Sequence, residues 1–299
     1  MKDKQSTNKI FMVEPEVFFM NPQTASSNHY QFDDKHENSN QILDSAIGEF
    51  RRFKDCLESN GVEVIALKGS PKCPDHIFPN WFITFENKTF QIFSMLAQNR
   101  RLEKTPEMIN YLKQDYELIE DMSDLESENK FLESTSSMVF DRTNKVVYLT
   151  ISPRANAELA KEWCARNNYE LVMFETESHT GGPIYHTDVL MYVGTTAIGI
   201  CFEVIKPEYI DHVKEMVMKH HEVIEIKKEQ LLEFCGNCLE IPNKNGELLL
   251  AMSTRSFNGY TEEQKAKLSL HFKKIVHEEI PTIEKFGGGS ARCMLAELF

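Results

Sequence analysis

The sequence has no long apolar run, and none approaches the roughly 18 residues that a membrane-spanning helix needs. Its first nine residues are polar and lack the apolar core of a secretory signal peptide. Basic residues are outnumbered, and the formal net charge of -13 argues against a nucleic-acid surface and against binding to anionic membranes. We therefore expect a cytoplasmic protein without nucleic-acid or membrane partners. Nothing in the sequence indicates its oligomeric state.

The cysteine pattern does not fit a disulfide framework, because the seven cysteines are odd in number and scattered along 299 residues. Cys235 and Cys238 form a CxxC pair, but no second pair of ligands lies at the spacing that a zinc site requires. We interpret both as structural thiols.

The chain also has no internal linker rich in proline, glycine or serine, so we expect a single domain over residues 1–299. Its hydrophobic pattern predicts a hairpin, a helix and a strand, and this order recurs at spacings of about 55 residues. Such a repeat is typical of a radial array of one α+β unit. We predict roughly five units, the first and last imperfect, and interpret the acidic stretch Glu117–Glu128 as a solvated connection.

The segment that carries the clearest chemistry lies near the C-terminus. Three glycines at 287–289 allow close approach of the backbone to a ligand, and Cys293 follows beside Arg292. The arginine's charge would favour the thiolate, which is the nucleophilic form of cysteine. The alternative is a flexible loop with an incidental buried cysteine.

Four side chains fall at the edges of different repeat units: Cys293, His186, Glu133 and Asp75. His186 opens a predicted strand and is a candidate general acid and base, with Asp188 on the same face. Each of these residues, taken alone, also fits an ordinary surface or core position. In a closed radial array the edges converge on the axis, which would bring the four side chains into one site.

These segments resemble the guanidino-group-modifying (pentein) superfamily. Residues 287–294 resemble its C-terminal nucleophile loop, residues 186–188 its histidine motif, and Glu133 stands where that superfamily has its catalytic carboxylate. Residues 74–81 resemble the superfamily's substrate-loop aspartate motif. Further similarity to its amidinotransferase and arginine-deiminase-related branch, especially to bacterial citrulline-utilising hydrolases, lies in residues 19–25, 95–101 and 234–237.

The resemblance implies a five-bladed αβ propeller of ββαβ units around a central active site. It also implies that Cys293 attacks the central carbon of a guanidino or ureido group and that His186 transfers protons, while Glu133 holds the substrate and orients the histidine. Asp75, Asn80, Asp188 and Arg154 would bind the substrate, with Arg154 meeting its carboxylate. No metal or organic cofactor is implied.

Two departures bear on the substrate. Asn80 stands where arginine-processing members have a carboxylate, which favours a neutral ureido group and hence citrulline, hydrolysed to ornithine, carbon dioxide and ammonia. Ser134 and Ser136 replace glycines, which would strain the loop if either position needs a positive φ. The alternatives are an arginine deiminase, a dimethylarginine hydrolase, an amidinotransferase, or a non-catalytic binding protein of the same fold.

Overall fold

The computed structural model describes residues 3–32 and 38–299. Its strands form five sheets of three strands each, in the orders β15-β1-β2, β3-β4-β5, β6-β7-β8, β9-β10-β11 and β12-β13-β14. The strands are β1 (Lys9–Glu14), β2 (Glu63–Lys68), β3 (Phe82–Phe85), β4 (Thr89–Ile92), β5 (Glu117–Asp121), β6 (Val139–Asp141), β7 (Val146–Thr150), β8 (Glu170–Phe174), β9 (Met191–Val193), β10 (Ala197–Ile200), β11 (Glu222–Glu225), β12 (Leu239–Pro242), β13 (Leu248–Ser253), β14 (Lys274–Glu278) and β15 (Ala296–Glu297).

Each sheet repeats one connection pattern. The first two strands pair antiparallel, and the third returns through a helical crossover to pair parallel with the second. The helices are α1 (Ser39–Ser59), α2 (Gln98–Arg101), α3 (Pro106–Leu112), α4 (Ser134–Ser137), α5 (Ala157–Arg166), α6 (Pro207–Met218), α7 (Thr254–Gly259) and α8 (Glu262–His271). The five ββαβ units confirm the predicted propeller of the pentein fold.

Amphipathic helices cover the sheets, as helix α1 illustrates. The Asn38 side chain accepts a hydrogen bond from the Asn40 amide and caps the helix. Its buried face carries Phe50, Phe53 and Leu57 at helical spacing, and it packs against β1, β2 and β14. The helix therefore buries its apolar stripe on two neighbouring sheets.

The first strands of the sheets line the centre of the ring. Strand β9 contacts both β6 and β12, and β15 contacts β3. The loop that precedes each of these inner strands therefore ends beside the axis. This arrangement decides which side chains can meet, because residues far apart in sequence enter the centre from five directions.

The first sheet is completed by the C-terminal end of the chain. Strand β15 pairs antiparallel with β1, and the Leu298 amide donates to the Lys9 carbonyl at 2.9 Å. The first and last units looked imperfect in the sequence because one sheet is divided between the two termini. The prediction of a solvated connection at Glu117–Glu128 was wrong about the connection, because its first five residues form β5, and a 3₁₀ turn follows at Ser123–Glu128. No residue of β5 or of this turn is fully buried, as the prediction of a solvated stretch implied.

A substitution at Leu298 would measure how much the closure of the ring contributes to stability. It is buried beside Phe11 and Phe82 in the cluster between the first two sheets. We expect Leu298→Ala to lower the free energy of unfolding by about 2–4 kcal/mol, because it removes apolar contacts and leaves a cavity. Urea unfolding would measure the change. Leu270→Ala, at a side chain 76% exposed, is the control and should change stability by less than about 0.5 kcal/mol.

Candidate active site

The candidate residues come from loops that precede the inner strands. Asp75 and Asn80 lie before β3, Glu133 before β6, and His186 and Asp188 before β9. Cys293 lies before β15. The structure therefore brings together the residues that the repeat edges predicted, and Arg154 joins them from the loop between β7 and α5.

Cys293 is buried, with 3% of its surface exposed. Its Sγ lies 3.2 Å from Nδ2 of Asn237 and 3.6 Å from Oδ2 of Asp188. The Cys293 amide donates to the Ser290 carbonyl at 3.1 Å, within the 3₁₀ turn that begins at Arg292. The thiol is thus held between an amide donor and a carboxylate acceptor.

The electrostatics of this thiol differ from the sequence prediction. Burial raises the pKa of Cys293 and the Asp188 carboxylate raises it further, while Ser290, Asn237 and Arg292 act in the opposite direction. Arg292 does favour the thiolate, but burial outweighs it. The pKa of Cys293 is therefore raised overall, although Arg292 acts in the expected direction.

Alkylation rates provide a test of this protonation state. Cys56 is the partly exposed cysteine of the seven, and all seven are free thiols. We expect iodoacetamide to modify Cys56 before Cys293 at neutral pH. Because the pKa of Cys293 is raised, its rate should go on rising with pH above about 9, the ordinary range of a thiol. A peptide mass-spectrometry time course would measure both, and fastest labelling of Cys293 at mildly acidic pH would contradict the result.

His186 and Glu133 form a buried pair. Nε2 of His186 lies 2.7 Å from Oε2 of Glu133. Burial would raise the pKa of Glu133, but Arg154, His186 and Arg100 more than offset it, so the carboxylate is ionised. Burial lowers the pKa of His186 despite that carboxylate. The imidazole is therefore neutral with its proton on Nε2, which donates to Glu133 and leaves Nδ1 as a free base.

Glu133 also holds two buried arginines. Its Oε2 lies 3.5 Å from Nη1 of Arg154 and 3.7 Å from Nη1 of Arg100, and its Oε1 accepts from the Leu96 amide at 3.1 Å. Arg100 in turn makes a bidentate ion pair with Glu103, at 2.8 and 3.0 Å. The carboxylate is fixed in place before any ligand arrives.

The loop of residues 21–31 contacts the same site. Asn21 and Thr24 donate to Oδ2 of Asp75, at 2.8 and 3.2 Å. Arg154, expected to meet a substrate carboxylate, donates from Nε and Nη2 to the Ser27 hydroxyl and lies over the Tyr185 ring. Its guanidinium is thus engaged by this loop, and a carboxylate would have to replace Ser27.

These residues line a narrow cavity of about 10 Å³, roughly the space of one water molecule. Its walls include five of the predicted site residues: Asp75, Asn80, Arg154, His186 and Cys293. Three buried atoms, Oδ1 of Asp75, Oδ1 of Asp188 and Nδ1 of His186, have no hydrogen-bond partner within residues 3–32 and 38–299. Two acceptors on carboxylates and one imidazole nitrogen are therefore available to a ligand.

Two local conformations differ from or refine the sequence interpretation. Thr187–Val189 forms a 3₁₀ turn, and the strand begins only at Met191, so His186 and Asp188 do not share a strand face. Ser134 has φ of 43°, which confirms that this position takes a left-handed conformation. Its hydroxyl donates to the Phe82 carbonyl at 2.7 Å, a contact that glycine could not make.

Asn237 and Arg100 contact the catalytic groups, although neither was predicted as a site residue. Both lie in segments quoted only for their family resemblance. Asn237 precedes β12, and the repeat edge of that fifth unit is the signal that would have found it. Phe234, three residues earlier, has a φ of 58°, which marks a strained turn beside the thiol. Arg100 carries no comparable signal, because its role depends on burial.

Over residues 3–32 and 38–299, no group of three or more histidine, cysteine, aspartate or glutamate side chains is placed to hold a metal ion. In the same ranges, no helix combines the length and apolar character needed to span a membrane.

A family model described as N,N dimethylarginine dimethylhydrolase, eukaryotic, matches residues 14–299. The chain belongs to this family. This dimethylarginine dimethylhydrolase-family protein is accordingly a hydrolytic enzyme of the pentein superfamily, and the family acts on guanidino groups. No curated protein matches its sequence significantly.

Solved structures show the same fold as this family member. The N-terminal domain of ArgZ, an arginine dihydrolase from the ornithine–ammonia cycle in cyanobacteria, bound to its substrate, gives a TM-score of 0.76 at 15% identity over 97% of each chain. AgrE with L-arginine gives 0.75 at 13% identity, over 97% of this chain and 40% of that one. The TM-score is 0.63, at 16% identity over the whole of both chains, for a histidine-to-glycine variant of dimethylarginine dimethylaminohydrolase. That variant was solved as its adduct with S-methyl-L-thiocitrulline.

Proposed function

We propose that this protein hydrolyses a C–N bond in the guanidino group of an arginine-related amino acid through a covalent intermediate on Cys293. The observation that carries the proposal is the meeting of a buried thiol, an imidazole with a free Nδ1 and the Asp75 carboxylate around one cavity, with the Asp188 carboxylate 3.6 Å from the thiol. A nucleophile, a base and acceptors for N–H groups are the parts that this reaction requires.

The carboxylates favour a cationic substrate. Oδ1 of Asp75 and Oδ1 of Asp188 are buried acceptors, and a guanidinium offers donors in a fixed planar arrangement. A cation beside Cys293 would lower the pKa of the thiol that burial has raised. Binding of substrate would therefore activate the nucleophile, whereas the empty site keeps it protonated.

The proton transfers assign a role to His186. Nδ1 takes the thiol proton as sulfur attacks the central carbon, and returns it to the nitrogen that leaves as an amine. In the second half of the reaction, Nδ1 takes a proton from water as the water oxygen attacks the same carbon. Nδ1 then gives this proton to the sulfur as the thiol leaves. Glu133 holds the imidazole through Nε2 and stabilises its protonated form. The products are a ureido amino acid and one amine.

The family match and the ArgZ and AgrE likenesses support methylated arginine and arginine as substrates. Citrulline is the second candidate, and Asn80 favours it, because a neutral amide in the cavity wall suits a neutral ureido group. Amidino transfer would need an amine to compete with water at the intermediate.

The single domain over residues 1–299 and the cytoplasmic location stay predictions.

A panel of separate substrates tests the proposal. Purified protein receives arginine, Nω,Nω-dimethylarginine or citrulline, and released amine and product mass are measured. Dimethylamine with citrulline identifies a dimethylarginine hydrolase, and ammonia with citrulline from arginine a deiminase. Ornithine with ammonia from citrulline supports the second candidate. An added glycine acceptor that gives guanidinoacetate from arginine identifies a transferase, and no reaction with any compound would overturn the proposal.

A further inference from the structure

A further buried carboxylate, that of Glu284, lies outside the cavity already described. It is 2% exposed and lies in the turn of π-helix Ile283–Gly287, just before the glycine loop. We propose that Glu284 is a positioning residue that fixes the nucleophile loop through Ser290. This inference rests on the proposed function for its catalytic consequence, but its geometry can be tested without any substrate.

A short chain of hydrogen bonds links Glu284 to Cys293. The Ser290 hydroxyl donates to Oε1 of Glu284 at 2.6 Å, and both side chains are buried. The Ser290 carbonyl then accepts from the Cys293 amide at 3.1 Å. A hydrogen bond to a carboxylate is stronger than one between neutral groups. Ser290 is therefore held at its side chain by Glu284 while its backbone holds the nucleophile.

The loop between them needs such an anchor. Gly288 adopts a left-handed φ of 61°, and its amide donates to the Glu284 carbonyl at 3.0 Å. Consecutive glycines at 287–289 leave the backbone with more freedom than any other residue type would. A π-helical turn is uncommon and frequently lies at a functional site. Glu284 thus contacts this glycine segment twice, through its carbonyl at Gly288 and through its carboxylate at Ser290.

The surroundings of Glu284 differ from those of the catalytic groups. It lines a separate cavity whose walls also carry Glu233, Arg255 and Glu279. Burial raises the pKa of Glu284 to about 6, Glu49 acts in the same direction, and Ser253, Ser290 and Arg255 oppose them. The ionised carboxylate, the stronger acceptor, is present above that pH and is lost as the pH falls through it.

Glu49 is a matched control for a merely structural role. It is also a buried glutamate, and it accepts from the amides of Thr282 and Ile283 at 3.0 Å, at the start of the same π-helix. No hydrogen bond joins it to Ser290 in the described part of the chain. Glu49→Ala therefore perturbs the same segment without releasing the nucleophile loop.

The experiment compares Glu284→Ala, Glu284→Gln, Ser290→Ala and Glu49→Ala. With the substrate found for this enzyme, we expect Glu284→Ala and Ser290→Ala each to lower kcat roughly ten- to hundredfold with KM changed less than about twofold, since misplacement of a reacting group slows chemistry. Their double variant should lose no more than either one. The wild-type kcat should fall as the pH falls through about 6, where Glu284 takes up a proton. Glu284→Gln, whose amide oxygen still accepts from Ser290, should stay within about threefold and lack that fall.

Alkylation makes the test independent of turnover. Release of the loop should make iodoacetamide modify Cys293 about tenfold faster in Glu284→Ala, because the thiol leaves its buried position. The buried Cys164 and Cys201 should keep their wild-type rates. Equal acceleration of all buried cysteines, an effect of Glu49→Ala equal to that of Glu284→Ala, or no change at Cys293 would each overturn the proposal. A protein that turns over none of the substrates yet shows selective labelling would refute the proposed function alone.

Discussion

Replacing Cys293 by serine should lower turnover by about 10⁴-fold or more while the protein stays folded. A hydroxyl is far less nucleophilic than a thiol, and the Asp188 carboxylate beside it disfavours its ionisation. Loss of a nucleophile in other hydrolases costs factors on the order of 10⁶ in kcat. Rate measurements with the substrate found in the panel would establish the effect, and titration of ligand binding should give an affinity near that of the wild type.

Cys164→Ser is the control for the loss of a buried thiol. Cys164 is 2% exposed and lies on helix α5, packed in the core of the third sheet. Its replacement should leave kcat within about threefold, since it touches no group of the site. The wild type, quenched in acid during turnover, should carry a mass addition on the Cys293 peptide. Activity in Cys293→Ser, or an adduct on another cysteine, would refute covalent catalysis by Cys293.

The repeating architecture could be predicted because each unit buries a helix on a sheet. Helix α1 and the hairpins at β6–β7 and β9–β10 follow hydrophobic periodicity, which is a local property. Strands β5 and β14 could not be predicted in that way. Each carries polar or charged residues at three of its five positions, and each is a strand because a central strand pairs with it.

The positions in the site could be predicted more readily than their chemistry. Loops before inner strands converge for topological reasons, so Asp75, Glu133, His186 and Cys293 meet as expected. The protonation state of Cys293 depends instead on burial and on Asp188, which approaches from another sheet. Arg292 lowers the pKa of Cys293 as its place in the sequence predicts, but burial, which depends on tertiary contacts, outweighs it.

Arg100→Met should lower the free energy of unfolding by about 3–5 kcal/mol, because it leaves buried carboxylates without their partner. Burial alone would lower the pKa of Arg100, but Glu103 and Glu133 more than offset it, so the guanidinium is charged. It also donates to the Phe78 carbonyl at 2.6 Å. Urea unfolding would measure the loss. Arg166→Met, which breaks an exposed pair with Glu120, is the control and should cost less than about 1 kcal/mol.

The double variant Arg100→Met with Glu103→Leu separates the ion pair from the packing. Removal of both charges should restore most of the stability lost in the single variant, because Glu133 keeps His186 and Arg154 as partners. Burial already raises the pKa of Glu103 to about 8 beside Arg100, and loss of the arginine should raise it further. The stability of Arg100→Met should therefore go on falling as the pH rises above about 8, where that of the wild type levels off. Arg100→Met would behave like the control only if the buried pair contributed little to stability. A loss of unfolding free energy as small as that of Arg166→Met, with no such pH dependence, would contradict the prediction and show that His186 and Arg154 alone hold Glu133.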